Sequence, residues 1–95
     1  MDTMDHEIAS AVLINEVGLH ARPSVKLTQT AKRFASKLEI ALGRNGPWVD
    51  AKSPVKIMRV KAPKGATLHF RGLGSDAQIA IRELVSLVER KFDEE

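Results

Sequence analysis

The residues best equipped for chemistry are His20 and Arg22, in the run Gly18-Leu19-His20-Ala21-Arg22-Pro23-Ser24. A neutral imidazole nitrogen is a nucleophile. A guanidinium two places on offers a planar fork of donors that matches phosphate oxygens. If this run sits where a strand gives way to a helix, the first-turn N–H groups and the positive helix end form an anion site. Gly18 then permits a positive φ and a close backbone approach just before the reactive residue. The backbone at Ala21 lies among the amides that would face a phosphoryl group. The same letters also read as plain turn chemistry, with Gly18 ending a strand and Pro23 starting a helix, and short motifs match by chance.

The elements around this run fit a strand-to-helix junction. Residues 7–14, EIASAVLI, are short, apolar and β-branched toward the end, as in a strand, and Asn15 to Gly18 breaks it. From Ala21 the pattern turns helical, with Leu27, Ala31, Phe34 and Leu38 recurring at spacings of four, three and four. Pro23 is harmless in a first helical turn. Residues 37–42 alternate as a half-buried strand, GRNGP marks a turn, and Trp48 to Ala51 returns, so 37–51 is expected to be a hairpin. Ser53 can cap a short helix with Pro54 in its first position, ended by Pro63. Residues 67–72 form a last strand. Ser75 or Asp76 can cap a final helix from Ala77 to Phe92, whose wide apolar stripe suits a helix lying on a sheet. Asp93, Glu94 and Glu95 are unfavourable beside the negative end of that helix, so the end is expected to fray.

The order β-α-β-β-α-β-α predicts an α+β domain, with three helices on one face of a four-stranded, mainly antiparallel sheet. A length of 95 residues allows one domain, 1–95, in which the polar stretch 1–6 reads as a flexible tail. Cysteine is absent, which removes disulfides and thiolate chemistry. The opening MDTMDHE does not read as a signal peptide, and no apolar run is long enough to span a membrane, so a cytoplasmic location is expected. The net charge is +3, and Lys52, Lys56, Arg59, Lys61 and Lys64 crowd one segment, which fits either an acidic partner or a solvated helix face.

The strings GLHARPS, AKRF in the same helix and AKS opening the second helix resemble the HPr family, the histidine-containing phosphocarriers of the bacterial sugar phosphotransferase system. The likeness runs from about residue 8 to residue 92, and the element order matches the family's open-faced sandwich. The resemblance implies that His20 accepts a phosphoryl group on Nδ1 from phosphorylated enzyme I and passes it to an EIIA-type component. It implies that Arg22 stabilises the phosphohistidine. It also implies a partner surface formed by Ala21, Val25, Gln29 and Lys32 on the first helix and Pro54, Val55, Lys56 and Met58 on the second. The chain would then be a monomeric carrier without turnover of its own, needing no metal or cofactor beyond the transient phosphoryl group.

Ser53 matches the serine that a dedicated kinase phosphorylates in some members, but the departures are plain. Pro54 and Val55 stand where the family commonly has large apolar residues. Lys61 and Pro63 stand near a loop position where many relatives carry glycine. Ser53 also reads as an ordinary helix cap, so a regulatory binding module acting through Ser53 and the second helix stays open as an alternative. A nucleic-acid-binding domain would need exposed aromatics, and the patterning buries most of the four present. His6 falls in the tail and His69 in a strand, so the three histidines lack metal-like spacing. Trp48 reads as a packing residue beside the hairpin turn.

Overall fold

A computed structural model describes residues 6–94. The expected tail, 1–6, lies outside them except for His6, which is exposed. Four strands, β1 (Glu7–Val12), β2 (Lys37–Ala41), β3 (Val49–Asp50) and β4 (Thr67–Leu73), form one antiparallel sheet in the order β1-β4-β2-β3. Three helices, α1 (Ala21–Ala31), α2 (Pro54–Val60) and α3 (Ala77–Glu89), complete the open-faced α+β fold. The strand alternation decides which face is covered. Ala11, Leu38, Ile40, Leu68 and Phe70 point inward and meet Leu27, Ile57, Leu84 and Val88 of the helices. On the outer face Ile8 and Glu39 flank Arg71 in register, and the Arg71 guanidinium lies 4.4 Å from the centre of the Trp48 ring. Trp48 therefore packs on the outer face of the hairpin.

The helix ends differ from the sequence expectations. The first helix stops at Ala31 instead of running through Phe34 and Leu38. Its last N–H groups tighten to three-residue bonds, Arg33 to the Thr30 carbonyl and Phe34 to that of Ala31. The carboxylate of Asp76 then takes the backbone N–H groups of Ala35 and Ser36, each at 2.9 Å, together with the Ser36 hydroxyl. Leu38 belongs to β2. Because Asp76 reaches across to that loop, it holds the cap position of α3 without a side-chain cap bond.

α3 ends at Glu89, and Lys91, Phe92 and Asp93 all take positive φ near +58°, a left-handed turn. This turn buries Phe92 completely, so it stays docked. Lys26 donates to the Phe92 carbonyl at 2.8 Å, Arg90 pairs with Asp93 at 3.0 Å, and Glu94 is drawn back onto α1. Local dipole repulsion is outweighed by a buried aromatic ring, by the neighbouring Arg90 and by Lys26, which lies 66 residues from Phe92 in the sequence. The short helix α2 has Ser53 at its cap, with Oγ accepting the Lys56 N–H at 3.3 Å, and Pro54 in its first position. It ends at Val60, before Pro63, because Lys61 turns left-handed at φ +54°.

Candidate functional site

His20 is the cap residue of α1, in extended backbone (φ −83°, ψ −169°), with no side-chain cap bond. The helix starts here because Pro23 pre-sets its first turn and because the preceding loop is held from several sides. Gly18 has φ +64°, and a Cβ there would stand 2.5 Å from the Ala62 carbonyl oxygen. Leu19 donates to that same oxygen at 2.9 Å. Ser24, buried, donates its N–H to the His20 carbonyl at 2.9 Å and its hydroxyl to that of Leu19 at 3.3 Å. The imidazole is left exposed at the rim, beside first-turn N–H groups that have no acceptor inside the helix.

Two hollows meet at His20. One is lined by Val17, Leu19, Ala21, Met58, Ala62 and Pro63, and is largely apolar. The other is lined by Asn15, Val17, Arg22, Pro23 and Glu94. Arg22 sits in the first turn, with its side chain 83% exposed and its Nε 3.6 Å from a Glu94 oxygen. Lys26, one turn further along, holds the other Glu94 oxygen at 2.7 Å. The Lys26 ammonium, with the Arg22 charge adding to it, keeps the Glu94 carboxyl below the ordinary glutamate range, against the opposing effect of burial. The helix end that carries His20 therefore already holds one oxyanion, a carboxylate, on two cations.

Most of the residues assigned to a partner surface are exposed. Ala21, Val25 and Gln29 share one hollow along α1 with Arg22 and Lys26. Lys32 is exposed at the C-terminal end of the helix. Val25, Val55 and Met58 are 42%, 52% and 39% exposed, so α1 and α2 each present apolar side chains to solvent. Pro54 is half-buried. Of the α2 residues, Met58 borders the His20 hollow, whereas Lys56 lines a separate one with Trp48, Asp50 and Arg59. Ser53 is half-buried and engaged as a cap. The basic segment also divides, since Lys52 donates to the Phe34 carbonyl and Lys64 pairs with Glu16, each at 2.7 Å. Phe70 and Phe92 are buried and Phe34 and Trp48 half-buried, so no aromatic platform faces solvent.

Residues 9–90 match a family model described as the phosphotransferase-system HPr component phosphorylation site. The chain belongs to the HPr family. It is 43% identical over 82 residues to the phosphocarrier protein HPr of Cupriavidus necator, covering 86% of this chain and 90% of that one. It is 39% identical to the HPr of Neisseria meningitidis over 85 residues, 90% of this chain and 93% of that one. Among solved structures, an HPr from Thermoanaerobacter tengcongensis superposes with a TM-score of 0.85 at 35% identity, over 94% of this chain and 98% of the other. The chain is thus a phosphocarrier of the phosphotransferase system. Sequence reasoning missed two neighbours of the candidate site, Lys26 and Glu94. Lys26 was visible as the cation one helical turn after Arg22, but Glu94 comes from the far end of the chain and carries no local signal.

Proposed function

We propose that His20 is the phosphoryl acceptor and that Nδ1 of its neutral imidazole attacks phosphorus. A nitrogen–phosphorus bond forms as the bond from phosphorus to the donor breaks, and the reverse exchange hands the group on. Phosphorylated enzyme I is the donor and EIIA-type proteins are the acceptors. Arg22 and the amides at the start of α1, including that of Ala21, meet the charge on the phosphoryl oxygens. Gly18 lets the loop approach Ala62 closely enough to set His20 at the helix end. The observation that carries this reading is an exposed histidine capping a helix whose first turn holds an arginine that is 83% exposed. Such a site works by position and electrostatics and requires no metal or other cofactor.

The exposed apolar residues Val25, Val55 and Met58 contribute to the docking surface, and the exposed cations Lys32, Lys56 and Arg59 on the same two helices steer acidic partners. The carrier works as a cytoplasmic monomer. No described helix is long and apolar enough to cross a membrane. Phosphorylation of Ser53 by a serine kinase would add negative charge at the start of α2 and replace its cap bond to Lys56. The test is labelling with phosphoenolpyruvate and enzyme I. His20→Ala, with its circular dichroism unchanged, is expected to take up no phosphate, and labelling retained in that variant contradicts the assignment.

A further inference from the structure

The Gly18–Leu19 peptide, immediately before His20, is held at both of its polar ends. Its N–H, on Leu19, donates to the Ala62 carbonyl at 2.9 Å. Its oxygen, on Gly18, accepts the side-chain amide of Asn15 at 2.8 Å. The Gly18 N–H in turn closes onto the Asn15 carbonyl at 3.2 Å, so Asn15 staples the whole turn from Asn15 to Gly18. A peptide plane fixed at both N and O cannot rotate without losing a bond, and its rotation is the motion that would swing His20 away from the start of α1.

The burial of Asn15 is costly in a way that packing does not explain. The side chain is 2% exposed, and its Oδ1 is buried without a donor from the protein. A buried amide with one half unpaired loses hydration that an apolar residue of similar size would not need. What remains to account for it is the bond from Nδ2 to Gly18. Asn15 also borders the hollow that holds His20 and Arg22. If the Gly18 carbonyl were released, the negative end of a peptide dipole could turn toward the place where a phosphoryl group arrives.

We infer that Asn15 is a positioning residue for phosphoryl transfer: its amide locks the Gly18–Leu19 peptide and thereby aims His20. This rests on the reading of His20 as the acceptor. The substitution Asn15→Asp keeps the shape and removes the donor. Two readouts separate the inference from its premise. In the unphosphorylated protein, amide hydrogen exchange at Leu19 is expected to quicken at least tenfold in Asn15→Asp, while exchange in β4 is unchanged. With phosphorylated enzyme I, the maximal rate of phosphate uptake is expected to fall at least tenfold, with little change in the enzyme I concentration giving half-maximal rate. Unchanged exchange at Leu19, or quickened exchange with an unchanged uptake rate, overturns the inference. A change confined to thermal stability also overturns it, because it would leave Asn15 a purely structural residue. Should the wild-type protein take up no phosphate on His20, the acceptor reading fails, and exchange at Leu19 still decides whether Asn15 pins the loop. If Asn15→Asp does not fold, Asn15→Ser is read in its place, and its shorter donor is expected to give changes in the same direction.

Discussion

At the scale of single residues, the candidate site separates the proposed acceptor from the groups that hold charge. His20 is positioned by backbone contacts and leaves its ring free, while Arg22 and Lys26 hold a carboxylate in the resting protein. Arg22 is the more available cation, since its contact with Glu94 is 3.6 Å and its side chain is 83% exposed. A buried donor at a developing oxyanion contributes about 10²–10³ in rate. Solvent screening lowers that figure for an exposed guanidinium, so Arg22→Ala is expected to slow phosphoryl transfer by roughly 10- to 100-fold. Arg22→Lys should recover only part of this, because an ammonium keeps the charge and loses the fork. Rapid-quench measurement of His20 phosphorylation checks both, and a full-speed Arg22→Ala variant would remove Arg22 from the mechanism.

At the scale of elements, the helix starts were easier to read than the helix ends. Pro23 and Ser53–Pro54 announce their helices by local chemistry, and α1 and α2 begin there. The ends depend on distant groups. α1 stops where Asp76 captures Ala35 and Ser36, and the last turn bends because Phe92 has a place in the core, neither of which is written in the neighbouring residues. The candidate residues His20 and Arg22 stand out in the sequence because a short string contains them both. Asn15 and Glu94 do not, since their contacts arise from where the folded chain brings them. The end of α2 has a testable flaw. Lys61 occupies left-handed backbone at φ +54°, a place that glycine fills without steric cost. Lys61→Gly is expected to stabilise the fold by about 0.5–1 kcal/mol after the added chain entropy of the unfolded state is counted. That corresponds to a rise in Tm of roughly 2–8 °C for a domain of this size. Differential scanning calorimetry checks it, and a lowered Tm would mean that the Lys61 side chain makes a larger contribution than its backbone costs.

At the scale of the whole molecule, two acidic residues tie parts of the chain that are far apart in sequence. Asp76 joins the start of α3 to the loop after α1, and Glu94 joins the chain end to α1. The Ser36 hydroxyl and then the Ala35 and Ser36 backbone amides hold the Asp76 carboxyl below the ordinary aspartate range. A group with a lowered folded value stabilises fully above its unfolded value, about 3.9 for aspartate. That contribution is lost as the pH falls through the lower folded value. The Tm of the wild-type protein is therefore expected to hold steady from pH 7 to pH 5 and to drop below pH 4. Asp76→Asn, already weakened at pH 7, should show a smaller acid-induced drop, and parallel curves for the two proteins would mean that Asp76 does not carry this linkage.

The same organisation places His20, the proposed acceptor, exposed at the rim beside the exposed side chain of Met58, where a docking protein can reach it. The most direct measurement is to phosphorylate the wild-type protein with phosphoenolpyruvate and enzyme I and to map the phosphate under alkaline conditions that preserve phosphohistidine. One acid-labile phosphate on His20 is the expected result. Phosphate on another residue, or none with an enzyme I of proven competence, would contradict the assignment of His20 as the acceptor.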